Sequence, residues 1–102
     1  MTFRVRFTRE AQADVERLYD FIIERDGADL AVAERALDAI RNGIALLEST
    51  PFSCRKARTD NSFLRELIIA FGTSGYVALF EIENEKTVTV LAVRHQREDD
   101  YH

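Results

Sequence analysis

Leu64-Arg65-Glu66-Leu67-Ile68-Ile69-Ala70-Phe71-Gly72-Thr73-Ser74-Gly75-Tyr76-Val77-Ala78-Leu79-Phe80-Glu81-Ile82 is the stretch that decides the fold. Two short apolar runs flank Gly72-Thr73-Ser74-Gly75, whose residues favour a tight turn. Bulky, β-branched and aromatic side chains dominate both runs, so 64–71 and 76–83 read as the two strands of a hairpin. Asn84-Glu85 supplies a second turn, and Thr87–Val93 a third strand. The three form an antiparallel meander. Simple alternation puts Tyr76, Ala78, Phe80 and Ile82 on one face and Val77 and Leu79 on the other. In the last strand it sets Val88, Val90 and Ala92 against Leu91 and Val93. Both faces are apolar at the centre, whereas a sheet with helices on one side ordinarily shows a polar outer face. The second apolar face is covered either by the loop and C-terminal tail or by a partner.

Moving outward, Phe3, Val5 and Phe7 alternate with Arg4 and Arg6, which predicts a strand over about residues 2–7. Thr8 follows as a helix N-cap, with Glu10 in the first turn. Ala11, Val15, Leu18 and Ile22 recur at helical spacing, and Tyr19 and Ile23 widen that stripe. Gly27 ends the helix and Asp29 caps the next. The second stripe is Ala33, Ala36, Leu37, Ile40, Ile44 and Leu47, in a helix expected over 30–48 and ended at Thr50-Pro51. The short connection makes the helices an antiparallel hairpin. Gly43 lies inside the second helix at a cost of about 1 kcal/mol relative to alanine, which close approach of another backbone would explain. Residues 52–63 read as a loop. The expected fold is α+β in the order β-α-α-β-β-β, with the helices on one face of the sheet and residues 1–102 in one domain.

Charge narrows the function. Net charge is −4, so the clustered cationic excess that drives general nucleic-acid coating is missing. Cys54 stands alone, which rules out an internal disulfide and a cysteine-based metal site and favours a reducing compartment. No apolar run is long enough to span a bilayer. The alternating first residues lack the continuous apolar core of a signal peptide, so a cytoplasmic location is expected. Neither cofactor nor metal is expected.

The run Leu64-Arg65-Glu66-Leu67, then Gly75-Tyr76-Val77-Ala78-Leu79-Phe80, then Val90-Leu91-Ala92-Val93-Arg94-His95-Gln96-Arg97-Glu98, resembles the RelE/ParE toxin superfamily. So does the opening Val5-Arg6-Phe7-Thr8 ahead of an acidic helix with Ala11, Asp14 and Leu18. The likeness extends over essentially the whole chain. It implies a toxin of a type II toxin–antitoxin pair. RelE-like members are ribosome-dependent mRNA endonucleases; ParE-like members act on DNA gyrase. Both are held by an antitoxin whose C-terminal segment wraps the toxin, and operator DNA is reached through the antitoxin.

Metal-free RNA cleavage needs a base, a cation for the developing phosphorane charge and an acid. On the nuclease reading these are drawn from Arg65, Arg94, His95 and Tyr101, with Arg97 and His102 nearby. An arginine at a strand end is more often solvated or paired, here with Glu66 or Glu98, and a histidine there more often hydrogen-bonds a neighbour. The tail Arg97-Glu98-Asp99-Asp100 also sets three carboxylates where an RNA phosphate would lie. Each such pair at about 4 Å costs on the order of 4 kcal/mol at an effective dielectric near 20, before screening. The lysine pair that the resemblance leads one to expect before the hairpin is reduced to Lys56. The preferred expectation is therefore a ParE-like toxin that acts by binding and has no catalytic residues of its own. A ribbon-helix-helix, ParD-type antitoxin is its expected partner. Leu18, Tyr19, Ile22, Ile23, Leu30 and Leu37 are the expected antitoxin contacts. Arg55, Lys56, Arg58, Arg94, His95 and Arg97 are the expected target contacts. An inactive member retained only for antitoxin binding and repression is the remaining alternative.

Overall fold

The hairpin anticipated at the centre of the sequence is the middle of a five-stranded sheet. The computed structural model describes residues 2–25, 30–72 and 74–98. Along the chain run β1 (Arg4–Phe7), α1 (Arg9–Arg25), α2 (Leu30–Ala45), β2 (Arg55–Arg58), β3 (Asn61–Phe71), β4 (Ser74–Ile82) and β5 (Thr87–His95). Two short 3-10 turns, Leu46–Glu48 and Pro51–Ser53, link α2 to β2. The strand order is β1-β5-β4-β3-β2. β3, β4 and β5 form the antiparallel meander, while β1 lies parallel to β5 and makes the sheet mixed. Gly27 and Asp29, the expected stop and cap between the helices, fall outside the described residues.

The helices are amphipathic, and their apolar stripes meet one face of the sheet. Ala11 and Leu18 of α1, and Ala36, Ile40 and Ile44 of α2, join Leu67, Ile69, Tyr76, Ala78, Phe80, Ile82, Val88, Val90 and Val93 in one buried cluster. Gly43 has its explanation here. A Cβ at that position would lie 2.8 Å from Ile69 Cγ1, so it is a neighbouring side chain, not a backbone, that fills the notch. Gly43→Ala is expected to destabilise the fold by about 1 kcal/mol: overpacking costs more than the helix propensity returns. A urea midpoint that rises in this variant would show instead that Ile69 moves aside freely.

One junction organises β1, α1 and β5. The Thr8 hydroxyl accepts the Ala11 N–H at 3.0 Å, which is the predicted N-cap, and donates to the Leu91 carbonyl at 3.2 Å. Leu91 is the extra residue of a β-bulge: Leu79 pairs with Ala92 but Phe80 pairs with Val90. Beyond the bulge the facing of β5 reverses. Val93 therefore joins Val90 in the helix-side core, and Ala92 turns to the opposite face, which reverses the simple alternation expected for these two residues. β1 ends before this point, leaving the outer edge of β5 without a strand. Asp14 covers it: its Oδ2 accepts the Val93 N–H at 2.9 Å, with the residue only 7% exposed.

The segment expected to be a loop is more ordered. Residues 55–58 form the edge strand β2 against β3, and β3 begins at Asn61. On the face away from the helices Val77 and Ala92 are buried, whereas Ile68 remains 46% exposed. The tail turns back there: Arg94, opposite Val77 in register, gives its Nη1 to the carbonyls of His95, Gln96 and Glu98.

Candidate functional site

A concavity lies along α1 and α2. Val15, Glu16, Tyr19 and Asp20 line it from α1, and Glu34, Leu37, Asp38 and Arg41 from α2, around a volume of about 640 Å³. Val15, Glu16, Leu37 and Arg41 also line an adjoining, more apolar stretch of about 510 Å³, floored by Val5, Phe7, Ile40 and Ile44. Helical spacing explains the pairing of floor and rim. Residues one step off each apolar stripe sit at the border between core and solvent, and here they are carboxylates.

The expected antitoxin contacts divide. Leu18 is 3% exposed and faces the sheet, so it belongs to the core and not to an open surface. Ile22 is half-buried against that core. Tyr19 and Leu37 line the groove. Leu37 is thus a half-buried groove residue and not the core residue its stripe implied. Leu30 is 55% exposed near the start of α2, and Ile23 is half-buried. Glu16, Asp20, Glu34, Asp38 and Arg41 were not anticipated for the groove. Their helical phase beside the stripe is the signal that would have found them.

The basic run is an edge strand. Arg55 pairs with Glu66 at 3.0 Å and Arg58 with Asp60 at 3.0 Å, while Lys56 is exposed. Cations on an unpaired edge discourage edge-to-edge association, so the run has a structural use whatever else it does. Phe52 and Phe63, each 52% exposed, meet edge to face beside it, with centroids 6.3 Å apart.

The two arginines of the nuclease reading are held apart. Arg65 stands opposite Phe80, on the helix side of the sheet, and Arg94 opposite Val77, on the other side. Arg65 gives Nε to the Ser62 carbonyl at 2.8 Å and Nη1 to the carbonyls of Phe52 and Cys54 at 2.8 and 2.7 Å. Its guanidinium also lies 5.3 Å from the Phe52 ring centroid. His95 is the last residue of β5. Its Nδ1 accepts the Arg97 N–H and its Nε2 meets the Ser74 hydroxyl, both at 3.1 Å, and its ring stands edge-on to Tyr76. With Nδ1 accepting, the hydrogen of the neutral ring is on Nε2, which then donates to Ser74 and cannot take its proton. Glu98 bonds the His95 N–H and pairs with Arg17. Arg97 is exposed. Asp99, Asp100, Tyr101 and His102 lie outside the described residues. Among the described residues no group of His, Cys, Asp and Glu side chains is placed to hold a metal, and no helix is long and apolar enough to cross a membrane.

Burial pushes the Cys54 thiol above its ordinary 9.0, against an opposing pull from Arg65, and pushes the Tyr76 phenol above 10.0. A group whose pKa is raised on folding stabilises the fold below its unfolded value and loses that contribution as pH rises through the folded one. Stability should therefore fall from about pH 9 upward, and less steeply in a Cys54→Ala/Tyr76→Phe double variant. Urea midpoints measured from pH 7 to 11 test this; parallel curves for the two proteins would refute it.

Two helices on one face of a mixed sheet is a fold shared with chains of solved toxin–antitoxin structures. The fold is similar to a chain of the chromosomal ParDE system from P. aeruginosa (TM-score 0.73, 19% identity, covering 92% of this chain and 96% of that one). It is similar also to a chain of the RelBE2 toxin–antitoxin complex from Mycobacterium tuberculosis (TM-score 0.65, 24% identity, covering 96% and 95%). Residues 5–100 match the family model described as the ParE toxin of the type II toxin–antitoxin system, parDE, and the chain belongs to that family. No curated protein matches the sequence.

Proposed function

We infer that this ParE-family toxin acts by binding DNA gyrase, and that a ParD-type antitoxin neutralises it by laying an amphipathic segment in the α1/α2 groove. The observation that carries the binding mode is the commitment of Arg65 to three backbone carbonyls on one face of the sheet while Arg94 serves the tail on the other. Neither guanidinium stands ready beside the other to receive a phosphate. The ParE family match supports gyrase as the target. Arg55, Lys56, Arg58, Arg94, His95 and Arg97 are the proposed target contacts, and Tyr19, Ile22, Ile23, Leu30 and Leu37 the antitoxin contacts. The toxin works in the cytoplasm, without cofactor or metal, and reaches operator DNA through the antitoxin.

A supercoiling assay tests the target: relaxed plasmid, ATP and purified gyrase with the toxin titrated in. Inhibition reversed by the antitoxin is expected. The likeness to a RelBE2 chain supports one other reading, a ribosome-dependent mRNA endonuclease. An unaffected gyrase together with mRNA cut in the ribosomal A site would establish that reading instead. Leu37→Asp is expected to weaken antitoxin binding about 30-fold or more, as for a central interface anchor, while leaving gyrase inhibition unchanged. Equal neutralisation of both proteins would remove the groove from the antitoxin interface.

A further inference from the structure

We propose that the α1/α2 groove reads its occupant by the sign of its charge, and that it takes an amphipathic helix flanked by lysine and arginine. This rests on the reading of the groove as the antitoxin's seat and adds the chemistry that seat selects. Val15, Tyr19 and Leu37 give an apolar floor. Glu16, Asp20, Glu34 and Asp38 set four carboxylates around it. Among the described residues one cation, Arg41, lines the same groove, and its Nη1 lies 3.7 Å from Asp38 Oδ1. Four negative charges against one positive leave −3 at the groove, within a chain whose net charge is −4.

An apolar floor in an acidic rim selects an occupant with the complementary pattern, because like charges set against each other penalise the wrong partner. A nucleic-acid backbone would meet the carboxylates with phosphates. A second copy joined through the same face would set four carboxylates against four. A second copy presenting its basic β2 edge fits no better, since Arg55 and Arg58 are already paired within their own chain. That head-to-tail contact would also build a ring or an open filament instead of a two-fold pair. A helix with an apolar stripe and cationic flanks satisfies both floor and rim. Its cations belong at the end beside Asp20 and Glu34, because the adjoining stretch at Val5, Phe7 and Ile44 is mainly apolar.

The test uses the full chain and two synthetic helical peptides that share a leucine stripe, one flanked by lysine and the other by glutamate. Binding is read by fluorescence anisotropy. At about 50 mM salt the lysine peptide should bind roughly tenfold tighter or better, and at about 500 mM the preference should shrink as charges are screened. The triple variant Glu16→Lys/Glu34→Lys/Asp38→Lys, with its folding checked by circular dichroism, should invert the preference. Equal binding of both peptides would overturn the charge reading and leave the groove as a seat. Lysine-peptide binding that the triple variant leaves unchanged would put the peptide elsewhere and overturn the proposal. If neither peptide binds and Leu37→Asp still captures co-expressed antitoxin normally, the groove itself is not the seat and both readings fail.

Discussion

Phe80→Ala is expected to cost about 3–5 kcal/mol, the range for emptying a large aromatic site in a close-packed core. Phe80 is fully buried in β4, where it pairs with Val90 across the sheet and faces the helix-side cluster. A small domain holds only about 5–15 kcal/mol in total, so this one change consumes much of the margin. The midpoint of thermal unfolding should drop on the order of 15 °C or more. Phe63→Ala is the companion measurement. Phe63 is 52% exposed and touches Phe52 edge to face, so the same chemical truncation should cost only about 1 kcal/mol. Equal losses at the two positions would mean that β4 is not the centre of the core.

Arg65→Ala should cost about 2–3 kcal/mol, because the charged group that ties the Pro51–Ser53 turn and the start of β2 to β3 is removed. The damage should be local. Trypsin should cut faster at Arg55, Lys56 and Arg58 once the edge strand frays, with little change in the core. Arg65→Lys should recover little of this, since an ammonium lacks the planar fork that reaches Ser62 and the 52–54 segment together. Unchanged stability and proteolysis combined with lost toxicity would reverse the interpretation and make Arg65 a functional cation. The two outcomes separate an arginine that organises the fold from one that meets an RNA phosphate.

The helices and the meander were legible because local periodicity reports burial directly. Thr8 caps α1 as its position implied, and the stripe from Ala33 to Ile44 faces the core. Leu37 shows the limit of that reasoning. A helical stripe gives a direction, not a depth, and at the stripe's edge a leucine lines a groove where its neighbours Ala36 and Ile40 are covered. The Leu91 bulge escaped for a different reason. A bulge is defined by two strands, so the reversal that exchanges Ala92 and Val93 has no signature within β5 alone. The basic run at 55–58 read as a loop because its cations mask a weak strand pattern, and the pairing of Arg55 with Glu66 across β3 restores it. At the groove, the apolar floor was partly visible in the helix stripes; helical phase beside those stripes marks the acidic rim on each helix, and the packing of α1 on α2 brings its two halves together.

By itself the sequence determined the order of the elements other than β2, the helix cap, the apolar stripes of the helices and the kinship with a toxin family, since each depends on residues near in the chain or on their pattern. The tertiary structure alone decided that β1 joins β5 in parallel, that Asp14 covers the edge β1 leaves free, and that Arg65 and Arg94 stand on opposite faces. These are outcomes of long-range pairing and register. They depend on which backbone groups are left without partners once the strands assemble, and no local pattern carries that information.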